Sequence, residues 1–250
     1  MKALAPFLTV ALVAAATAVG AAPPGRLDGP YGSGAAQVWV LRPAGEIRHV
    51  VVFAHGWKTS PPSVARPWVG QFRPWLDHLL AGGSAVVFPR YQIGVGDSFG
   101  VERVRAFEAG VRTGLDRLGR PGVPVVAVGY SVGASLVLTY GAEARAWGLP
   151  VPAAIDAVFP AGPISGAALP ALAPRVRVLI QVGAADAEAG TGGGLAFWRW
   201  LARHPPSRKA YEVVRSSGGF QADHAAPKLT TPAARRAFWA PLDRLIRAAP

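Results

Sequence analysis

The apolar positions of this 250-residue chain fall into short solid runs separated by longer stretches at helical spacing. Gln37 to Leu41 alternates and reads as an early, antiparallel strand. Val50 to Phe53 is wholly apolar, as expected of a strand covered on both faces. From Trp68 to Leu80 the apolar residues recur at helical spacing, with Gly82-Gly83 as a stop. Ala85 to Phe88 and Val123 to Val128 are two further buried strands, with the charged amphipathic helix Val101 to Leu118 between them. Val132 to Trp147 reads as a largely apolar helix. The same rhythm continues through strands at Ile155 to Phe159, Val176 to Val182 and Tyr211 to Val214. Leu195 to Arg203 and Ala233 to Ala248 are the closing helices, and Pro23 to Gly34 is a Gly/Pro-rich lead-in. Strands alternating with helices of this length imply right-handed crossovers and a mainly parallel α/β sheet, here as a single domain over residues 23–250. In such sheets chemistry collects at the carboxyl ends of the strands.

Met1 to Ala22 stands apart. Lys2 precedes a nearly continuous apolar stretch, Ala3 to Val19, and Ala21-Ala22 offers small residues for cleavage. That is the layout of a signal peptide, with a secreted mature chain; an uncleaved N-terminal membrane anchor is the alternative. The chain has no cysteine, which excludes disulfides, a thiolate nucleophile and a lipid-modified cysteine. With 51% hydrophobic and 16% charged residues it can fill a large core. The formal charge of +12 is carried mostly by scattered arginines, without a stripe interleaved with aromatics. This argues against a nucleic-acid partner and allows weak association with anionic surfaces.

The sharpest local signal is Gly129-Tyr130-Ser131-Val132-Gly133. It follows a buried strand directly and opens an apolar helix. A serine on such a turn presents its hydroxyl clear of the sheet, and the flanking glycines avoid clashes with neighbouring backbone. The helix start directs amides and dipole toward developing negative charge. A chance match must be weighed, because Gly96-Asp97-Ser98-Phe99-Gly100 fits the same pattern. Ser98, however, lies well past its strand in a polar loop, where it suits a helix N-terminus. Context therefore selects Ser131.

The elbow at Ser131 and the segment His55-Gly56-Trp57 resemble the α/β-hydrolase superfamily, in particular secreted bacterial-type serine esterases and lipases. The resemblance spans essentially the whole mature region in strand–helix order. Dienelactone-type members use cysteine as nucleophile and haloalkane dehalogenases use aspartate, so the serine departs from both. The resemblance implies that Trp57, after the His-Gly pair, and Val132, after the nucleophile, offer backbone N–H groups to an oxyanion. His55 then shapes that loop and is neither acid nor base.

Of the five histidines, His224 lies between the last strand and the last helix, where the base of this fold belongs. His49 begins a strand, His78 lies on a helix and His204 closes one. The chain order Ser, Asp, His then selects Asp186, after the Val176 to Val182 strand. Glu188 is its nearest rival, Asp156 opens a strand at the wrong end of the sheet, and Asp223 adjoins the histidine. Trp57, Tyr130, Phe159 and Phe220 would border the site, though each could equally be a core aromatic. The stretch Pro160 to Arg175 is too short for a helical cap, so the site should be open.

The expected activity is hydrolysis of small-molecule or polymer carboxylic esters through Ser131, His224 and Asp186, with no cofactor and no metal. Amide hydrolysis or acyl transfer by the same residues, and a non-catalytic secreted binding protein, are the alternatives.

Overall fold

The computed structural model describes residues 25–58, 69–119 and 122–250. The leader expected over residues 1–22, and Trp68 at the start of the first expected helix, lie outside them. No helix among the described residues is long and apolar enough to cross a membrane.

Eight strands form one sheet in the order β1-β2-β4-β3-β5-β6-β7-β8. These are β1 (Leu27–Tyr31), β2 (Val38–Leu41), β3 (His49–Ala54), β4 (Ser84–Pro89), β5 (Val125–Tyr130), β6 (Ala154–Val158), β7 (Arg177–Gly183) and β8 (Lys209–Val214). The pairings β1–β2 and β2–β4 are antiparallel; all others are parallel. Five helical segments cover the sheet. On one face lie α1 (Val69–Ala81) and the C-terminal helix; on the other lie α2 (Val101–Arg117), α3 (Val132–Glu143) and α4 (Gly192–Trp200).

The solid apolar runs follow from this layering. In β3, Val50, Val52 and Ala54 join the core under α2 and α3, while Val51 and Phe53 join the core under α1. Each valine or phenylalanine among them, removed from water, contributes roughly 1.5–3 kcal/mol. α3 ends regularly at Glu143, but the chain keeps turning to Trp147. There Leu149 N–H bonds Ala144 O (2.8 Å), Gly148 N–H bonds Arg145 O (3.0 Å), and Gly148 takes φ +61°. This paired closure around a left-handed glycine explains why the helical pattern reads on to Trp147.

Three elements differ from expectation. β1 forms within the Gly/Pro-rich lead-in, where Pro30 is tolerated because an edge strand needs fewer donors. α4 begins three residues before Leu195, and a 3-10 turn (Leu201–Arg203) completes it. The C-terminal helix is interrupted: α5 (Pro232–Ala234) passes into a π-helical stretch (Arg235–Trp239) before α6 (Ala240–Arg247). The buried Gln181 amide on β7 donates to Ala237 O (2.8 Å), taking a carbonyl from the middle of that stretch.

Asp156 also departs from expectation. It is not at the start of its strand but third in β6, hydrogen-bonded into register between Val128 and Leu179. Its side chain is fully buried, and neither carboxyl oxygen has a hydrogen-bond partner among the described residues. Burial, reinforced by nearby Glu212 and only partly offset by Arg244, holds its pKa well above the ordinary carboxylate value. The carboxyl is therefore neutral in the fold and ionises freely when the chain unfolds. Above pH ~4 this favours the unfolded state by up to about 1.4 kcal/mol per pH unit, until the folded group itself ionises. Asp156→Asn removes that titration. In urea unfolding, its stability advantage over the parent should grow by at least about 1 kcal/mol from pH 4 to pH 6. An advantage independent of pH would sink the assignment.

Candidate active site

β5 delivers the chain to Ser131 with φ +57° and ψ −121°, a conformation that is strained for any residue with a side chain. Strain of this kind costs about 1–3 kcal/mol and needs support from its surroundings. The support is visible: Ser131 N–H donates to Val158 O (2.9 Å), and Ala134 N–H returns to Ser131 O (3.0 Å). The two glycines are steric requirements. A Cβ on Gly129 would lie 2.2 Å from Gly133 O, and one on Gly133 would lie 2.2 Å from His55 O. Strand, helix and the loop after β3 are thus in backbone contact around the serine.

His224 and Asp186 arrive from later strand ends. His224 Nε2 stands 3.0 Å from Ser131 Oγ, and Nδ1 stands 2.8 Å from Asp186 Oδ2. The other oxygen, Asp186 Oδ1, accepts from the backbone N–H groups of Glu188 (2.9 Å) and Ala189 (3.0 Å). Ala185 N–H bonds Ala222 O (3.1 Å), which ties the aspartate loop to the histidine loop. All three side chains belong to buried residues, so their mutual hydrogen bonds are little weakened by competing water. Glu188 therefore supports Asp186 through its main chain. Its own carboxylate is largely exposed and lies 3.9 Å from His224 Nε2. Asp223 turns to Ala225 N–H instead (3.0 Å).

Of the remaining histidines, His49 opens β3, and its buried Nδ1 has no hydrogen-bond partner among the described residues. His78 pairs with Asp243 at 2.9 Å, and His204 Nε2 lies 2.8 Å from Val176 O. His55 is fully buried, with Nε2 2.7 Å from Arg90 O and its ring stacked on Tyr91 at 4.3 Å. Burial lowers its pKa to about 3, so the ring is neutral. Ser98 is exposed and donates to the Glu102 carboxylate, whose pKa this bond lowers. The helix cap itself is Gly100, not Ser98. Ser98→Ala should leave ester turnover unchanged and stability within ~0.5 kcal/mol, checked by side-by-side kinetics and thermal unfolding.

The four aromatics divide. Trp57 and Phe220 are half-buried, whereas Tyr130 and Phe159 are enclosed. Tyr130 donates its hydroxyl to His224 O, and its ring centre lies 5.0 Å from the imidazole. Phe159 lies 6.3 Å from the same imidazole and packs edge-on against Phe238. These two enclosed rings pack against the histidine. Neither Trp57 N–H nor Val132 N–H donates to an acceptor among the described residues. The connection over residues 159–176 contains no helix, so no cap rises from it.

Two neighbours give no signal in the sequence. Lys58, just past Trp57, is buried, and its pKa is lowered to about 8 by desolvation and by Arg90. Gln92 is also buried and bonds Lys58 across the loop. Among the described residues no cluster of His, Asp or Glu could hold a metal ion.

This architecture is the α/β-hydrolase fold. Among solved structures the chain is similar to carboxyl esterase 2 from the fungus Tuber melanosporum: TM-score 0.63 and 17% identity, over 86% of this chain and 81% of that one. It is likewise similar to esterase B from Lactobacillus rhamnosis, with TM-score 0.64 and 14% identity over 90% and 85%. An esterase/lipase from an uncultured bacterium gives TM-score 0.64 and 17% identity over 92% and 86%. No protein-family model matches the sequence, and no curated protein matches it at a significant level. The likeness lies in the backbone, at identities too low to carry a substrate.

Proposed function

We propose that the protein is an exported serine hydrolase acting on carboxylic esters. The observation that carries this is the hydrogen-bonded series Ser131 Oγ, His224, Asp186 at 3.0 and 2.8 Å, buried beside a strained elbow. The esterase neighbours share the fold on which that series is built.

In this reading neutral His224 carries its proton on Nδ1 and donates it to Asp186 Oδ2. Nε2 then accepts the Ser131 proton as Oγ attacks the ester carbonyl carbon. The carbonyl oxygen becomes an oxyanion facing the N–H groups of Trp57 and Val132, each such donor being worth about 3 kcal/mol of barrier. As the tetrahedral intermediate collapses, the imidazolium gives its proton to the departing alcohol oxygen, leaving an acyl group on Ser131. Water repeats the attack with His224 again as base. Asp186 keeps the imidazole in the required tautomer and stabilises its charged form. Its two backbone donors keep the carboxylate aimed.

The test is direct. The purified mature protein should hydrolyse short-chain aryl esters and take up one equivalent of an aryl phosphonate, located on Ser131 by peptide mass spectrometry. Inert wild-type protein, or label on Ser98 in place of Ser131, would refute the proposal. Export is checked by N-terminal sequencing of the chain recovered outside the cytoplasm, with a new start expected near Ala21-Ala22.

A further inference from the structure

We propose that the Gln92 side chain is a positioning residue that sets the oxyanion-binding loop, by holding both backbone groups of Lys58. This inference rests on the reading of Trp57 N–H as an oxyanion donor.

The physical need is clear from the topology. β3 ends at Ala54, and the chain must then leave the sheet while keeping Trp57 N–H beside Ser131. Past that point no strand neighbour holds the peptide plane. Gln92 supplies what a strand would have supplied. Its Oε1 accepts from Lys58 N–H (2.9 Å), and its Nε2 donates to Lys58 O (2.9 Å). The second Nε2 proton goes to Gly94 O (2.9 Å). One planar amide thereby fixes Lys58 on both sides, and the peptide bond joining Trp57 to Lys58 inherits that restraint.

Gln92 is itself held in place and is only 1% exposed. Tyr91, its predecessor, adopts φ +47° and donates its hydroxyl to His55 O (2.7 Å). Arg103 from α2 donates to Tyr91 O (3.1 Å) and to Asp97 (2.8 Å). Asp97 in turn accepts from Ile93 N–H (2.9 Å) and Gly94 N–H (3.2 Å). The second glycine–serine motif, at residues 96–100, thus contributes through Asp97: it stiffens the loop that carries Gln92. On the opposite side, Gly56 packs so closely that a Cβ there would meet the Tyr130 ring at 2.7 Å. The oxyanion loop is pinned between the elbow and Gln92. A buried amide bonded in this way restrains the Trp57–Lys58 peptide, one residue past the donor, and productive sites hold their groups to within about 0.5 Å.

The experiment compares wild type, Gln92→Glu and Gln92→Leu on an aryl ester and on its thiono analogue, in which sulfur replaces the carbonyl oxygen. Sulfur accepts hydrogen bonds poorly, so the ester/thionoester rate ratio reads the oxyanion donors and not the general integrity of the fold. Gln92→Leu should lower kcat on the ester by about 10²-fold with KM changed less than about threefold. It should also collapse the ester/thionoester ratio toward unity. Gln92→Glu, which keeps the acceptor for Lys58 N–H but loses both donated bonds, should fall between. Thermal unfolding of each variant identifies the folded ones, and either folded variant suffices. A folded variant with a lowered melting point but unchanged kcat and ratio overturns the role of Gln92. A wild type with no preference for the ester overturns the oxyanion reading beneath it. That failure is distinct, because it precedes any substitution at Gln92.

Discussion

Ser131→Ala is expected to lower kcat on an aryl ester by about 10⁶-fold while leaving the fold intact. The hydroxyl hydrogen-bonds His224, and its removal relieves nothing in the strained turn, because the backbone bonds of Ser131 and not Oγ support φ +57°. His224→Ala should be nearly as severe, and the double variant little worse than either, since the two side chains act as one unit. Asp186→Asn separates geometry from charge. An asparagine can keep both backbone bonds to its Oδ1, but its NH₂ would face the imidazole and favour the wrong tautomer. A loss of roughly 10⁴-fold is expected, with KM nearly unchanged. The measurement is steady-state kinetics on proteins matched by circular dichroism. A loss below tenfold in Asp186→Asn would mean that the carboxylate does not orient the base.

Gly133→Ala should be severely damaging although it adds a single methyl to the site. Alanine is the better helix former by about 1 kcal/mol, so propensity alone predicts stabilisation in α3. Sterics reverse the sign. The added carbon would stand 2.2 Å from His55 O and 2.3 Å from Ala54 O, both backbone atoms that no rotamer change can move. Relief requires pushing the loop after β3 away from the elbow, at a cost of about 1–3 kcal/mol. The same movement withdraws Trp57 N–H from Ser131, which should cost a further ~10²-fold in kcat. Gly192→Ala at the start of α4 is the control, since nothing lies within 4 Å of the added carbon. Equal behaviour of the two variants would show that close packing at Gly133 is not what holds the site.

The strands were legible because a sheet covered on both faces leaves no polar positions, and Val50 to Phe53 states this outright. The elbow was legible through context: the pattern at residues 96–100 has the same letters but lacks the strand before it. Asp186 and His224 followed from chain order once the strands were placed. Other features have no periodic trace. Gln92 and Lys58 meet through hydrogen bonds across 34 residues, and nothing in either segment announces the partner. The π-helical stretch bonds Gln181, a residue on another element, and leaves no mark on the periodicity, so Ala233 to Ala248 reads as an ordinary helix. Tyr130 and Phe159 were expected at the rim because they flank strand ends. Both rings are enclosed against the imidazole, the core placement that an aromatic at a strand end equally allows.

The helix-free connection over residues 159–176 bears on how such a chain could diversify. Its two ends are fixed in register by neighbouring parallel strands, while its middle turns outward at Gly166 (φ +75°) into open space. Lengthening a surface loop costs only about 0.6 kcal/mol for each doubling of its length. An insertion at Gly166 would leave the register of β6 and β7 untouched, with the neighbouring Ser165 still bridged to Gly100. Ser131, Asp186 and His224 all lie on other segments than this connection, so its length can change without touching them.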